Sequence, residues 1–189
     1  MVAPDDLRIS DETLLRRFTA GDASAFARVV KRHQSAVYRF ARAVVPDGGD
    51  PEAVLRDAFE AARRGAARFR DEPSARPWLL TLARNAAERR HPRSGRESDP
   101  TPLRDLARAA GWHGSNGDGL RDDPRSLETA LASLAPDDRE VLILRELEKL
   151  GPDEAARVTG LTEAVIRTRL HRARLRLLAR LREGGADGG

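Results

Sequence analysis

The sequence predicts an all-α fold in which two helical domains are joined by a flexible linker. Aliphatic residues recur every three or four positions over most of the chain, and no stretch alternates with the period of a strand. From Arg93 to about Arg125 the composition changes to Gly, Ser, Asp, Pro and Arg, which interrupts the helical pattern. We therefore predict domains at residues 1–93 and 126–189, with the flexible linker at 94–125.

Four helices are predicted in the first domain. Ser10 and Asp22 are suited to cap the first two, because their side chains can accept hydrogen bonds from N–H groups in the first turn. The segment PDGGDP ends the second helix, and its Asp50 can cap the third. A fourth helix begins after the interruption RDEPSARP. Since the four share one apolar stripe, they are expected to form a bundle.

The second domain is predicted to end in a helix-turn-helix. In AARVTGLTEAVIRTRL, Gly160 stands where a left-handed turn is needed and Thr162 stands where the following helix needs a cap. A helical wheel then gives that last helix a buried stripe. The predicted stripe consists of Ile166, Leu170, Ala173, Leu177 and Leu181.

The composition argues against an enzyme. The chain has no cysteine, which excludes disulfides, thiol nucleophiles and cysteine-ligated zinc. Its four histidines show no metal-ligand spacing, and no glycine-rich phosphate loop follows a strand. We therefore predict no catalytic residue, no metal and no cofactor. The N-terminus lacks the pattern of a secretion signal and no apolar run is long enough to span a bilayer, so a cytoplasmic protein without membrane insertion is expected.

The last helix carries an unusual surplus of positive charge. Residues 162–182 contain seven arginines and a single carboxylate, whereas a merely solvated helix would mix the two signs. We predict that this helix binds nucleic acid: its first turns would enter the major groove and its lateral arginines would neutralise phosphates. The predicted contacts are Glu163, Ala164, Arg167, Thr168 and His171 at the N-terminal end, with Arg169, Arg172 and Arg176 on one flank.

The first domain separates its charges differently. Arginines concentrate around the fourth helix, and acidic residues, among them Asp11, Asp50 and Glu52, concentrate on helices one and three. A protein-binding face beside a nucleic-acid face and an ordinary alternation of surface charge both fit this pattern. Trp78, at the start of the fourth helix, fits either a half-buried core aromatic or a wall beside an unstacked base.

Several segments together resemble a bacterial sigma-70 family factor of the extracytoplasmic-function (ECF) type. These are DETLLRRFTAGDASAF, PWLLTLARN and RLHRARLRL, in that order and at the family's separation. The resemblance covers about residues 10–93 and 126–182. It implies an initiation factor that directs RNA polymerase to promoters, with an anti-sigma factor as a further partner and the linker threading the polymerase.

The resemblance also implies roles for individual residues. The third helix would bind the β′ clamp helices of core RNA polymerase, and the fourth helix with its preceding loop would hold the melted −10 strand of promoter DNA. Residues 126–182 would read the −35 element as duplex. The polymerase-binding set is Glu52, Arg56, Asp57 and Glu60, and the −10 set is Arg70, Ser74, Arg76, Trp78, Arg84 and Asn85.

Two positions in the third helix depart from the family pattern. Ala53 replaces the second residue of an acidic pair, and Arg56 replaces a glutamine. Two alternatives therefore stay open beside an active sigma factor. One is a sigma-like DNA-binding regulator that does not initiate transcription, and the other is a helical adapter whose arginine helix binds an acidic protein.

Overall fold

The computed structural model describes residues 9–46, 48–69, 74–92 and 129–186, with side chains as far as residue 181. All regular structure in these ranges is helical, which confirms the all-α prediction. The chain divides into two compact units, mainly between Arg93 and Ser94, and each is described by itself. The boundaries 1–93, 94–125 and 126–189 remain predictions, because the linker, like Arg70, lies outside the described residues.

Four α-helices build the first unit. They are α1 (Asp11–Thr19), α2 (Ala23–Val44), α3 (Pro51–Gly65), which continues into a 3-10 turn at Ala66–Arg68, and α4 (Ala75–Arg90). The predicted caps are confirmed. The side chains of Ser10, Asp22 and Asp50 accept hydrogen bonds from backbone N–H groups in the first turns of α1, α2 and α3.

The long helix α2 organises this unit by packing against α1, α3 and α4. Phe40 and Val37 of α2, Leu14 of α1 and Leu79 of α4 are fully buried. Burying each side chain of this size contributes about 1.5–3 kcal/mol relative to leaving it exposed. The four-helix bundle predicted from the shared apolar stripe is the arrangement observed.

A buried carboxylate joins three of these helices. Asp11, which the sequence pattern grouped with an acidic surface, is only 8% exposed. Its Oδ2 lies 2.8 Å from Nε2 of His33 on α2 and accepts a 3.1 Å hydrogen bond from the Ala75 N–H of α4. Its Oδ1 accepts a hydrogen bond from Arg32. Burial acts to raise the pKa of Asp11, but the hydrogen bonds and the positive partners outweigh it and lower that pKa to about 2.

Residues 129–186 are also built of helices. A helical turn at 129–132 precedes α5 (Pro136–Leu142), a π-helix at Ile143–Leu147, α6 (Pro152–Thr159) and α7 (Glu163–Ala186). Gly160 has φ +70°, as the left-handed turn requires, and Thr162 Oγ1 accepts from the Val165 N–H at 3.4 Å. The predicted turn and cap are thus confirmed, whereas the π-helix was not anticipated.

The predicted stripe of α7 is right only in its first half. Ile166, Leu170 and Ala173 are buried, but Leu177 and Leu181 are half-buried, while Leu175 is buried on the opposite side. A helical wheel assumes that one side of a helix meets the core. Beyond Leu170 this helix is covered on more than one side, so the assumption fails there.

Candidate nucleic-acid interface

One exposed face lies at the start of α7. Ala164, Arg167, Thr168 and His171 follow the i, i+3, i+4, i+7 spacing that brings residues to one side of a helix, and all four are exposed. Glu163 is exposed at the first position of the same helix. The structure therefore brings together the side chains that were predicted to reach base edges.

The chemistry of this face is set by Arg167 and Thr168. The Thr168 hydroxyl donates a 3.0 Å hydrogen bond to the Ala164 carbonyl, and its oxygen can still accept a hydrogen bond. Arg167 supplies a fork of N–H donors that matches O6 and N7 of guanine. The face can thus offer donors from Arg167 and an acceptor or an apolar contact from Thr168.

The flank of α7 that carries Arg169 and Arg176 is less exposed than the prediction of phosphate contacts supposed. Arg176 was expected to neutralise phosphate, but it is only 9% exposed and donates a 2.7 Å hydrogen bond to Asp138 of α5. Arg169 is paired in the same way with Asp137. These two arginines hold α7 to the start of α5.

Two further arginines of α7 also have partners within the protein. Arg174 pairs with Glu146 of the π-helix. Three of the seven arginines of the last helix therefore face carboxylates from the preceding elements, which balances much of the surplus seen in the sequence. Arg172, also predicted as a phosphate contact, is half-buried and has interactions within the protein.

The pair Asp138–Arg176 is deeply placed. The side chains retain 4% and 10% of their exposure, respectively. Burial raises the pKa of Asp138, while the positive charge of Arg176 acts to lower it. The ionised carboxylate therefore depends on its arginine partner.

The second candidate surface is one side of α4. Trp78, Leu82, Asn85 and Arg89 succeed one another at helical spacing, and Asn85 and Arg89 are exposed. Trp78 is half-buried and its ring centroid lies 5.1 Å from that of Phe69. Trp78 and Asn85 lie about 10 Å apart along the helix axis, since each residue adds about 1.5 Å. Trp78 is therefore a half-buried aromatic that packs on a core aromatic, the first of the two interpretations, and its role beside a base stays a prediction.

The other predicted −10 contacts do not share this face. The Ser74 hydroxyl caps α4 by accepting a 3.2 Å hydrogen bond from the Arg76 N–H. Arg76 is half-buried on a different side of α4 from Trp78. Arg84 is 9% exposed and pairs with Glu88 at 2.9 Å, since its position turns toward the core. Ser74 thus caps the start of α4, and Arg84 forms an ion pair within that helix.

The predicted polymerase-binding surface of α3 is charge-balanced. Arg56 lies 3.4 Å from Asp50 and 3.9 Å from Glu52, and all three side chains are exposed. Glu60 pairs with Arg64 at 3.4 Å. Arg56 thus finds acidic partners at the start of its own helix. Exposed pairs of this kind contribute about 0–1 kcal/mol, so a binding partner can replace them at little cost.

Asp57 is held differently, because its partner comes from another helix. It accepts a 2.8 Å hydrogen bond from Nε of Arg90 in the last turn of α4. This hydrogen bond and the charges of Arg90, Arg89 and Arg56 lower the pKa of Asp57. Asp57 therefore links α3 to α4 and still keeps a third of its surface exposed.

Sequence reasoning missed the acidic partners of the arginine helix. Asp137 and Asp138 follow Pro136 at a helix start, a position where acidic residues are ordinary. The available signal was two adjacent acids upstream of an arginine-rich helix in one small domain. Among the described residues, no group of acidic and histidine side chains is arranged to hold a metal ion. None of the helices described is both long and apolar enough to cross a membrane.

Comparison with protein families gives two matches in chain order. The family sigma-70 region 2 matches residues 29–97, which include α3 and α4. The family sigma-70 region 4 matches residues 125–177, which include α5, α6 and the start of α7. Both candidate surfaces fall within these segments.

Three relatives match most of the chain and most of their own length. The chain is 31% identical to the ECF RNA polymerase sigma factor SigM of Mycobacterium tuberculosis over 89% of this chain and 83% of SigM. It is 32% identical to the RNA polymerase sigma factor CarQ of Myxococcus xanthus, over 84% and 90% of the two chains. It is 28% identical to the ECF RNA polymerase sigma-E factor of Escherichia coli K12, over 88% and 92%.

Two solved structures share the fold. CnrH, in complex with the cytosolic domain of CnrY, matches with a TM-score of 0.62 and 25% identity over 95% of this chain and 99% of CnrH. The sigma factor RpoE of Bartonella quintana, in complex with the anti-sigma factor NepR, matches with a TM-score of 0.62 and 22% identity. The second match covers 83% of this chain and 96% of the other.

Proposed function

The chain belongs to the ECF sigma factors of the sigma-70 family, and from that membership we propose that it binds core RNA polymerase and directs promoter-specific initiation of transcription. The observation that carries the proposal is the presence of two DNA-suited helix faces in one chain. One lies at the start of α7 and the other along α4. The protein would act in the cytoplasm, where the polymerase works, and would contribute no bond-making chemistry of its own.

The start of α7 would read the −35 element as duplex DNA. Its face combines the guanidinium of Arg167 with the exposed side chain of Thr168, and His171 lies one turn further along. A helix of this kind fits the major groove, where base edges carry a distinct pattern for each pair. The ion pairs of Arg169 and Arg176 support the role indirectly by fixing the helix to its domain.

The face of α4 would capture the melted −10 strand. Asn85 is exposed and its amide can both donate to and accept from an unpaired base. Trp78, packed on Phe69, offers a rigid apolar edge beside it. Arg89 supplies a positive charge for the strand's phosphates at the next turn. Asn85→Ala should reduce initiation on duplex promoter more than on the same promoter with a pre-melted bubble.

The surface of α3 would dock on the β′ clamp helices of the polymerase. Glu52 and Glu60 are exposed, and their arginine partners lie in the same exposed layer. A basic group of the clamp can compete for these acids because exposed pairs are weak. Opposite charges across such an interface chiefly favour encounter and orientation.

An anti-sigma factor is the further partner we propose. CnrH and the Bartonella RpoE were each solved in complex with a partner, the cytosolic domain of CnrY and the anti-sigma factor NepR. The match with CnrH covers 95% of this chain. An anti-sigma factor bound over the two candidate surfaces would keep the protein from polymerase and promoter until it is released.

Run-off transcription with cognate core polymerase on genomic promoter fragments tests the proposed function. We expect specific transcripts only when the protein is added. If no transcripts form but DNA binding is salt-dependent, a regulator without initiation activity would be favoured. The ion pairs of Arg56 with Asp50 and Glu52 are the observation that supports this alternative. The absence of DNA binding as well would favour a protein adapter.

Co-purification with core polymerase tests the α3 surface separately. Wild type should bind, and Asp57→Arg should not, because the new cation would face Arg90 and any basic group of the clamp. Arg56→Gln is the matched control, since it removes the cation without adding charge to the interface. Binding by Arg56→Gln but not by wild type would show that Arg56 blocks docking.

A further inference from the structure

The first turn of α4 is held from inside the bundle. Ala75, the first residue of α4, is fully buried, and its N–H donates to Oδ2 of Asp11 at 3.1 Å. The next N–H, that of Arg76, donates to the Ser74 hydroxyl. The start of a helix leaves about four backbone N–H groups without helical partners. The contacts of Ala75 and Arg76 provide partners for two of these groups in α4.

Asp11 is itself fixed from two sides. Arg32 and His33 are neighbours on α2, and each contacts one of the two carboxylate oxygens. The carboxylate therefore brings α1, α2 and the start of α4 together at one buried point. A negative charge at a helix N-terminus is also favourable because the helix dipole is positive there.

The positions of Trp78 and Asn85, which are proposed to face the melted strand, depend on Asp11 because α4 is rigid. Trp78 is three residues beyond Ala75 and Asn85 is ten residues beyond it, within one uninterrupted helix. A shift of the first turn is transmitted along the helix to both side chains. Recognition sites of this kind tolerate displacements of only about 0.5 Å.

We propose that Asp11 is a positioning residue for promoter opening, which holds the first turn of α4 so that Trp78 and Asn85 meet the unpaired strand. The proposal rests on the proposed function of α4. His33 contributes by holding the carboxylate oxygen that receives the Ala75 N–H. Neither Asp11 nor His33 has to touch DNA, since both are buried.

The test compares two templates with the full-length protein and core polymerase. One is a genomic promoter fragment that supports run-off transcription by wild type, and the other is the same fragment with a pre-melted −10 bubble. Asp11→Asn keeps the shape of the side chain and removes its charge. Asp22→Asn is the matched control, because Asp22 caps α2 through the same kind of N–H contact and is exposed.

The expected pattern is selective. Asp11→Asn should lower initiation on duplex by at least about 10-fold and on the bubble template by less than about 3-fold, as expected when positioned groups are misplaced. Asp22→Asn should stay within about 2-fold of wild type on both templates. In the double variant with Asn85→Ala, the two losses should not add, because both act on the same helix.

Two variants of His33 test the positioning role of Asp11 if Asp11→Asn does not fold. In His33→Gln the side-chain amide can still donate to Asp11, so duplex initiation should stay near the wild-type level. His33→Leu cannot donate and should show the duplex-selective loss. Equal activity of these two variants, or an equal loss on both templates in any Asp11 or His33 variant that folds, would overturn the inference.

The result for Asn85→Ala separates this inference from the proposed function. If Asn85→Ala loses activity equally on both templates, strand capture by α4 is wrong whatever Asp11 does. If Asn85→Ala is duplex-selective and Asp11→Asn is not, strand capture stands and only the positioning role of Asp11 fails.

Discussion

Two arginines of α7 should respond to substitution in opposite ways. Arg176 is buried against Asp138 at 2.7 Å, whereas Arg167 is exposed on the face proposed to read bases. Replacing Arg176 by Met keeps most of the apolar stem and removes the charge. Replacing Arg167 by Ala removes a side chain that contributes nothing visible to the core.

The structure sets the size of each effect. Arg176→Met leaves the Asp138 carboxylate buried without its cation, a defect that typically costs about 3–5 kcal/mol. For a domain of this size the loss corresponds to a fall in Tm of more than about 10 °C. Because burial already raises the pKa of Asp138, the loss should shrink as pH falls and the carboxyl becomes neutral. Arg167→Ala should change stability by less than about 0.5 kcal/mol.

Calorimetry of the full-length variants measures stability, since it can resolve separate transitions of two units. Binding to promoter duplex over a range of salt concentrations measures the DNA contacts. Arg167→Ala should weaken binding to the preferred site by about 1–3 kcal/mol. Arg176→Met, assayed below its lowered Tm, should keep the wild-type salt slope because Arg176 is engaged with Asp138.

The opposite outcome for Arg176 would refute this reasoning. A variant of normal stability whose salt slope falls by about one unit would show that Arg176 contacts phosphate, as the sequence alone suggested. Asp138→Leu combined with Arg176→Met provides a second check. The double variant should recover much of the lost stability, because no uncompensated charge remains buried.

The remaining predictions concern pH and backbone conformation. The folded pKa of Asp11 lies near 2, below its ordinary 3.8, so its stabilisation of roughly 2 kcal/mol is present above pH 4 and lost as pH falls toward 2. Urea unfolding of wild type and Asp11→Asn should therefore converge over that interval. Lys149 has φ 56°, so Lys149→Gly should stabilise the second domain by up to about 1 kcal/mol by relieving the left-handed conformation. Gly160→Ala should destabilise it by about 1 kcal/mol, because φ is +70° although a Cβ would have open space. An unchanged Tm in Lys149→Gly or in Gly160→Ala would contradict the argument from backbone conformation.

Where the helices begin and turn could be predicted from local sequence. Ser10, Asp22 and Asp50 cap as predicted, and Gly160 turns as predicted, because each acts on N–H groups or dihedrals within a few residues of itself. The exposed start of α7 could also be predicted, since a face with i, i+3 and i+4 spacing is a local property. The same holds for Asn85 on α4, which is exposed as a strand-binding residue would need to be.

Which charged residues pair inside the fold depends on contacts between distant parts of the chain. Arg176 and Asp138 are 38 residues apart in the chain, and Asp11 and the Ala75 N–H are 64 apart, so no local pattern joins them. In sequence Arg176 is one more cation on a basic flank, and Asp11 is one more acid at a helix start. Their roles appear when packing removes them from water, because a buried charge must then find a partner from whichever helix lies beside it.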